Sequence, residues 1–266
     1  MDVNLISALV VTTVAGASLM IGGVIAINIK KNIFQHILSF SGGIMLYIAF
    51  ILFMPNAYRK LESEFGQYKA IILSNISFFV GLMATIPIDF IVSYYNKKIK
   101  KKTTVSIFVE KDNHKELFLL IFLSITIHNF FEGVATFISF FGNPYIAVFL
   151  ILSIIAHNLP EGAAIASSIF KKTNNKKKAL LYCLFSGIAE PIGAVVAYFI
   201  IISYFSPPIY PLITAFLAGL LVNTALNELL PGANLHGHYK FSMNGIIVGM
   251  LFIFILTVFG YQYMNH

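Results

Sequence analysis

Runs of twenty or more mostly apolar residues, separated by short polar connections, recur eight times along this chain. They cover about 4–28, 33–55, 69–95, 117–140, 145–170, 179–204, 209–230 and 242–264. A helix needs about 20 such residues to cross the hydrocarbon of a bilayer, whereas barrel strands alternate over roughly ten. The runs are continuous, so they read as helices. Only 11% of the residues are charged and 58% are hydrophobic, with a mean hydropathy of +0.83; a soluble domain carries about 25% charged residues. The expectation is an all-α membrane protein, a bundle of eight transmembrane helices in which residues 1–266 form a single polytopic membrane domain. The longest polar stretch, about 96–116, is too short for a further domain and reads as a lysine-rich cytoplasmic linker. The N-terminal "MDVNLISALV" lacks a basic region, so the first run reads as a retained span rather than a signal peptide.

The formal net charge is +7, and the placement of the cations explains it without nucleic acid. Fifteen of the 18 Lys and Arg residues fall in the connections after spans one, three, five and seven. Only Arg59, Lys60 and Lys69 fall on the other side. Positive charge accumulates on cytoplasmic loops, which places the N- and C-termini both outside. The runs "NKKIKKK" (96–102) and "KKTNNKKK" (171–178) are therefore topology signals that also suit anionic lipid. Small residues in "AGASLMIGG" (15–23), "SFSGGIM" (39–45) and "AGLLVNTA" (218–225) predict close helix packing within one bundle. The single cysteine, Cys183, excludes an intrachain disulfide or a thiolate cluster and reads as a small core residue.

The acidic residues divide in two. Asp2, Glu62, Glu64, Glu110, Asp112 and Glu116 lie in connections or at ends, while Asp89, Glu132, Glu161, Glu190 and Glu228 lie within spans. No lysine or arginine lies in the interior of any span. A charge at a helix centre in lipid costs about 2.5–3.5 kcal/mol or more and normally requires a partner. These carboxylates are therefore either protonated or awaiting a cation from outside the chain.

Spacing sharpens that reading. "HNFFEG" begins at His128 and "HNLPEG" at His157, 29 residues later in the next span. In each copy His and Glu are four residues apart, one helical turn, so both project from one face. Two facing helices would offer His128, Glu132, His157 and Glu161, a nitrogen and oxygen set suited to a divalent first-row metal, Zn²⁺ foremost. Two carboxylates also cancel the charge of one such ion. Asn129 and Asn158 stand three residues before the same glutamates. With a bridging carboxylate and Glu190 from "SGIAEPIGA" they would form a second, oxygen-rich position, so two ions are accommodated. On spacing alone each Asn serves equally as an interhelical hydrogen-bonding group or as an orienting partner for its His. Pro160 and Pro191 remove amide donors, leaving the carbonyls of Ala156 and Gly187 without helical bonds. Broken helices of this kind line cavities or ion sites in transporters, so local unwinding or an ordinary proline kink is expected there.

The chain resembles the ZIP family of divalent-metal transporters, in its bacterial ZupT-like branch. The resemblance rests on "HNFFEG", "HNLPEG" and "SGIAEPIGA", with "SFSGGIMLYIAF…MPNA" in span two and "NELLPGA" in span seven. It implies eight spans with both ends outside, metal flow toward the cytoplasm, and an elevator-like movement of one block of helices. It also implies a first metal position of His128, Glu132, His157 and Glu161, and a second of Asn129, Asn158 and Glu190 that shares the two signature glutamates. Two departures stand out. Phe131 occupies a place where the branch usually has proline, which predicts a more regular helix there. Leu52 stands where a glutamate is frequent, so a role for that carboxylate does not carry over.

The expected function is transport of Zn²⁺, with Fe²⁺, Mn²⁺, Co²⁺ and Cd²⁺ as further cargoes, across the cell membrane into the cytoplasm. No prosthetic group is expected. Metal ions and lipid are the partners, nucleic acid is not, and a homodimer is allowed. The roles of Asp89, Glu228, His236 and His238 stay open. The alternative is an intramembrane zinc-dependent enzyme. Metalloproteases place a general-base Glu directly after the first His of H-E-x-x-H; Asn129 and Asn158 hold that place here, so an enzyme is not expected.

Overall fold

The long apolar runs fold as helices. A computed structural model describes residues 3–28, 31–84, 86, 114–142, 144–204, 209–230 and 239–264. Among them are nine α-helices: α1 (Val3–Asn28), α2 (Lys31–Tyr47), α3 (Met54–Phe65), α4 (Gln67–Met83), α5 (His114–Gly142), α6 (Pro144–Thr173), α7 (Lys176–Tyr204), α8 (Ile209–Thr224) and α9 (Tyr239–Met264). Two π-helical segments, π1 (Ile48–Phe53) and π2 (Ala225–Leu229), continue α2 and α8. Among the described residues there is no strand. Four helical stretches, Leu5–Asn28, His36–Phe65, Lys176–Ile200 and Ile209–Asn227, are long and apolar enough to cross a bilayer. Asp89, His236, His238, the C-terminal part of span three and the linker before His114 lie outside the described residues, as does the side chain of Glu228.

The helices pack in two groups. In the first, α1 lies against α6 and α7, and α5 lies against α7 and α6; in the second, α2 pairs with α9, and α4 with α8 and α3. Glycines make these pairings close. A Cβ on Gly162 of α6 would collide with the backbone of Leu19 in α1, and one on Gly22 of α1 with that of Leu159. Gly133 and Gly193 interlock α5 with α7 in the same reciprocal way, and Gly81 and Gly219 interlock α4 with α8. In lipid, where apolar surface gains nothing by leaving solvent, this close approach is what holds helices together. Among the described glycines, each backbone collision of this kind falls within one group.

The connections follow local chemistry. Gly66, at φ 77° and ψ 164°, joins α3 to α4 in a conformation essentially restricted to glycine. Asn174 adopts a left-handed φ of 48° after α6, which asparagine tolerates. The Oδ1 of Asn175 then accepts the backbone N–H of Lys178 at 3.0 Å, capping α7.

The unwinding expected at Pro160 and Pro191 does not occur: α6 and α7 run unbroken through both. The contacts of α6 with α1 at Leu159 and Gly162 flank Pro160, and the backbones of Gly16 and Gly187 meet beside Pro191. Packing on both sides holds the helix where one bond is missing. The irregular turns lie elsewhere, in π1 and π2. Each precedes a proline in sequence, Pro55 or Pro231, whose missing N–H deprives the carbonyl of Ile51 or Asn227 of its usual donor.

Replacing Gly162 with Val should push α1 from α6. The expected loss is about 1–3 kcal/mol, read as a lower melting midpoint of the detergent-solubilised protein; an unchanged midpoint would contradict the backbone contact.

Candidate metal centre

The two signature motifs sit at the middle of α5 and α6, on faces that meet. Both imidazoles turn Nε2 toward one carboxylate. Glu132 Oε1 lies 2.9 Å from Nε2 of His128 and 2.5 Å from Nε2 of His157. Glu161 Oε1 lies 3.7 Å from His128 Nε2. One donor atom each from His128, Glu132 and His157 falls within 4.8 Å of the others, a spacing that matches ligands around a single small ion. The structure thus brings these three together, with Glu161 beside them on the His128 side. All four side chains are buried; Glu132, the most accessible, is 4% exposed.

A second cluster adjoins the first on the α7 side. The Nδ2 of Asn158 donates to the carbonyl of Ala15 in α1 at 3.1 Å and to Glu190 Oε1. Asn129 turns the other way along α7, donating through Nδ2 to Ser186 Oγ at 3.1 Å and to the Ser186 carbonyl at 3.3 Å. Asn129, Asn158 and Glu190 are fully buried. Among the described residues, Asn129 Oδ1, Asn158 Oδ1, Glu132 Oε2 and Glu190 Oε2 have no hydrogen-bond donor. Buried acceptors are normally satisfied, since leaving one unpaired costs about 1–3 kcal/mol. A group of four such oxygens is chemically complementary to a hard cation and to little else.

The facing wall is apolar. A cavity of about 20 Å³ touches His128, Glu132 and His157 on one side and Ile48, Phe53, Leu217, Leu220 and Leu221 on the other. That is room for about one water-sized species. The wall comes from π1 and α8, the second helix group, so the cluster lies on the seam between the groups. Buried apolar side chains of both groups pack together across this seam, and two specific contacts cross it beside the cluster. Ser41 Oγ in α2 donates to the carbonyl of His157 at 3.3 Å, and the ring of Phe131, next to Glu132, meets Phe216 of α8 at 5.1 Å between centroids.

Sequence reasoning did not single out Ser41, Ser186 or the apolar wall. Ser186 had a usable signal, standing four residues before Glu190 on the same face of α7. Ser41 had none, because its partner lies 116 residues away.

Residues 109–257 match the protein family described as ZIP zinc transporter. The chain is also similar along nearly its whole length to curated relatives. The zinc transporter ZupT of Chlorobium chlorochromatii is 36% identical, covering 93% of this chain and 95% of its own. That of Streptococcus mutans is 36% identical over 94% and 96%, and that of Akkermansia muciniphila 34% identical over 96% and 98%.

An ion that binds only the folded state at 100 times its dissociation constant adds about 2.7 kcal/mol of stability. Zn²⁺ is therefore expected to raise the melting midpoint of the wild-type protein. Glu132→Gln and His157→Ala should each abolish most of that shift; a shift that survives both would place the ion elsewhere.

Proposed function

Because this chain belongs to the ZIP family, whose members are transporters and not enzymes, we propose that it is an integral membrane carrier of divalent metal, with Zn²⁺ as its main cargo and Fe²⁺, Mn²⁺, Co²⁺ and Cd²⁺ as competitors. The observation that carries this reading is the convergence of His128, Glu132 and His157, with Glu161 alongside, where no lysine or arginine is buried among the described residues. The first metal position is assigned to these four residues, and the second to Asn129, Asn158 and Glu190 together with the shared glutamates. The donor set is nitrogen and oxygen without thiolate, which binds first-row dications yet releases them. Mixed ligands of this kind follow the general affinity order rather than selecting one metal, so several ions should pass.

We assign all eight spans to the membrane of the cell, as a single polytopic domain with both termini outside and the lysine-rich connections in the cytoplasm. The metal moves inward from the outer face. The glycine interlocks within each helix group, set against an apolar seam between the groups, support passage by displacement of α1, α5, α6 and α7 as one block relative to the rest. The block would carry the metal cluster with it.

Radiolabelled Zn²⁺ should accumulate in proteoliposomes containing the wild-type protein and fall to background with Glu161→Ala; unlabelled Cd²⁺, Fe²⁺, Mn²⁺ and Co²⁺ should compete. Wild-type liposomes without flux would end the transport reading. Topology is tested separately on intact cells in a Cys183→Ala background. A membrane-impermeant maleimide should label His266→Cys and leave Thr103→Cys unlabelled until the cells are permeabilised; the reverse pattern would invert the orientation.

A further inference from the structure

Resting on the two-position site proposed above, we infer that Thr126 and Ser186 are positioning residues that fix which end of the Asn129 amide faces the metal. Thr126 Oγ1 lies 2.6 Å from the carbonyl of Phe122 and 3.2 Å from Ser186 Oγ. A threonine hydroxyl has one proton, and the shorter contact is to a carbonyl, which can only accept. The Thr126 proton therefore goes to Phe122. The Ser186 hydroxyl must then donate to Thr126 Oγ1, which leaves Ser186 Oγ with only lone pairs to offer Asn129. The side-chain atom of Asn129 at 3.1 Å from that oxygen, and 3.3 Å from the Ser186 carbonyl, has to be the amide nitrogen.

The chain thus runs one way, from Asn129 through Ser186 and Thr126 to a backbone carbonyl. Its consequence is that Asn129 Oδ1 is turned off α7, buried and without a donor. An amide presented in the opposite sense would put N–H donors, not an oxygen, where Asn129 Oδ1 now stands, and would repel a cation there. Neither Thr126 nor Ser186 touches the ion. They act on the oxygen-rich position alone, because the His128 and His157 imidazoles turn Nε2 to Glu132 and not to Asn129, Ser186 or Thr126.

Removing the Ser186 hydroxyl takes away one acceptor. Replacing Thr126 with valine, nearly isosteric, frees the Ser186 proton to donate to Asn129 Oδ1 and so favours the flipped amide. The test uses the full-length protein in nanodiscs, with Mn²⁺ uptake followed by loss of the free-ion paramagnetic resonance signal and Co²⁺ uptake by its visible absorption. Wild-type protein should take two Mn²⁺. Ser186→Ala and Thr126→Val should each weaken one of the two by about 10–100-fold, the range typical of residues that orient metal ligands. Ser186→Thr, which keeps the hydroxyl, should restore it. The Co²⁺ absorption, which reports imidazole ligation, should be unchanged in all three. Retention of both Mn²⁺ in Ser186→Ala and Thr126→Val would overturn the inference, as would parallel loss of both ions and the Co²⁺ band, or a wild-type protein that takes one Mn²⁺. Wild-type protein that binds neither metal would overturn the underlying site as well.

Discussion

A carboxylate withdrawn from water must be neutralised by something, and in this bundle the chain itself offers very little. Glu132 meets two imidazoles, Glu190 meets an amide, and no basic side chain lies within the described interior. Each of these acids sits at a depth where an uncompensated charge would offset much of the net stability of a domain. Under the proposed function, what neutralises them is a partner that arrives and departs. On that reading the convergent imidazole and carboxylate atoms, the Asn129 nitrogen turned to Ser186 and the small adjoining cavity all serve that arrangement.

The same constraint orders the helices. The cluster draws on α5 and α6, while α1 and α7 hold the asparagines, and these four helices are interlocked by glycines that bring backbone against backbone. The opposing surface of π1 and α8 contributes aliphatic and aromatic side chains. A polar group loses little when an apolar wall slides past it, because no hydrogen bond has to be broken; Ser41, bonded to the His157 carbonyl, is a polar crossing that must be released. Under the proposed function, a glycine-locked block against an apolar face is the mechanical counterpart of a site that trades one aqueous side for the other.

Much of this was legible in the residues. The first span was expected at about 4–28 and is Val3–Asn28, because continuous apolarity bounded by polar residues leaves few other boundaries. The four-residue spacing of His128 to Glu132 and of His157 to Glu161 puts each pair on one helical face, a purely local matter, and His128 meets Glu132 at 2.9 Å. What faces those pairs is not local. The wall of Ile48, Phe53 and Leu217, and the clamp from Ser186, depend on which helices become neighbours, and a single sequence does not encode that in any spacing. The prolines misled for a related reason. Pro160 and Pro191 suggested unwinding, yet glycine contacts on both sides keep α6 and α7 intact. The irregular turns stand before Pro55 and Pro231 in sequence, in π1 and π2.

The size of the cavity beside Glu132 has a kinetic meaning. A space that admits a single water cannot admit an aquated dication with its six ligands. Under the proposed function, cargo must strip itself to a nearly bare ion before the imidazoles are reached. Magnesium, which surrenders its waters reluctantly, would enter such a space more slowly than zinc although it carries the same charge. Discrimination of that kind requires no residue that recognises the unwanted ion, only a doorway too narrow for its coat.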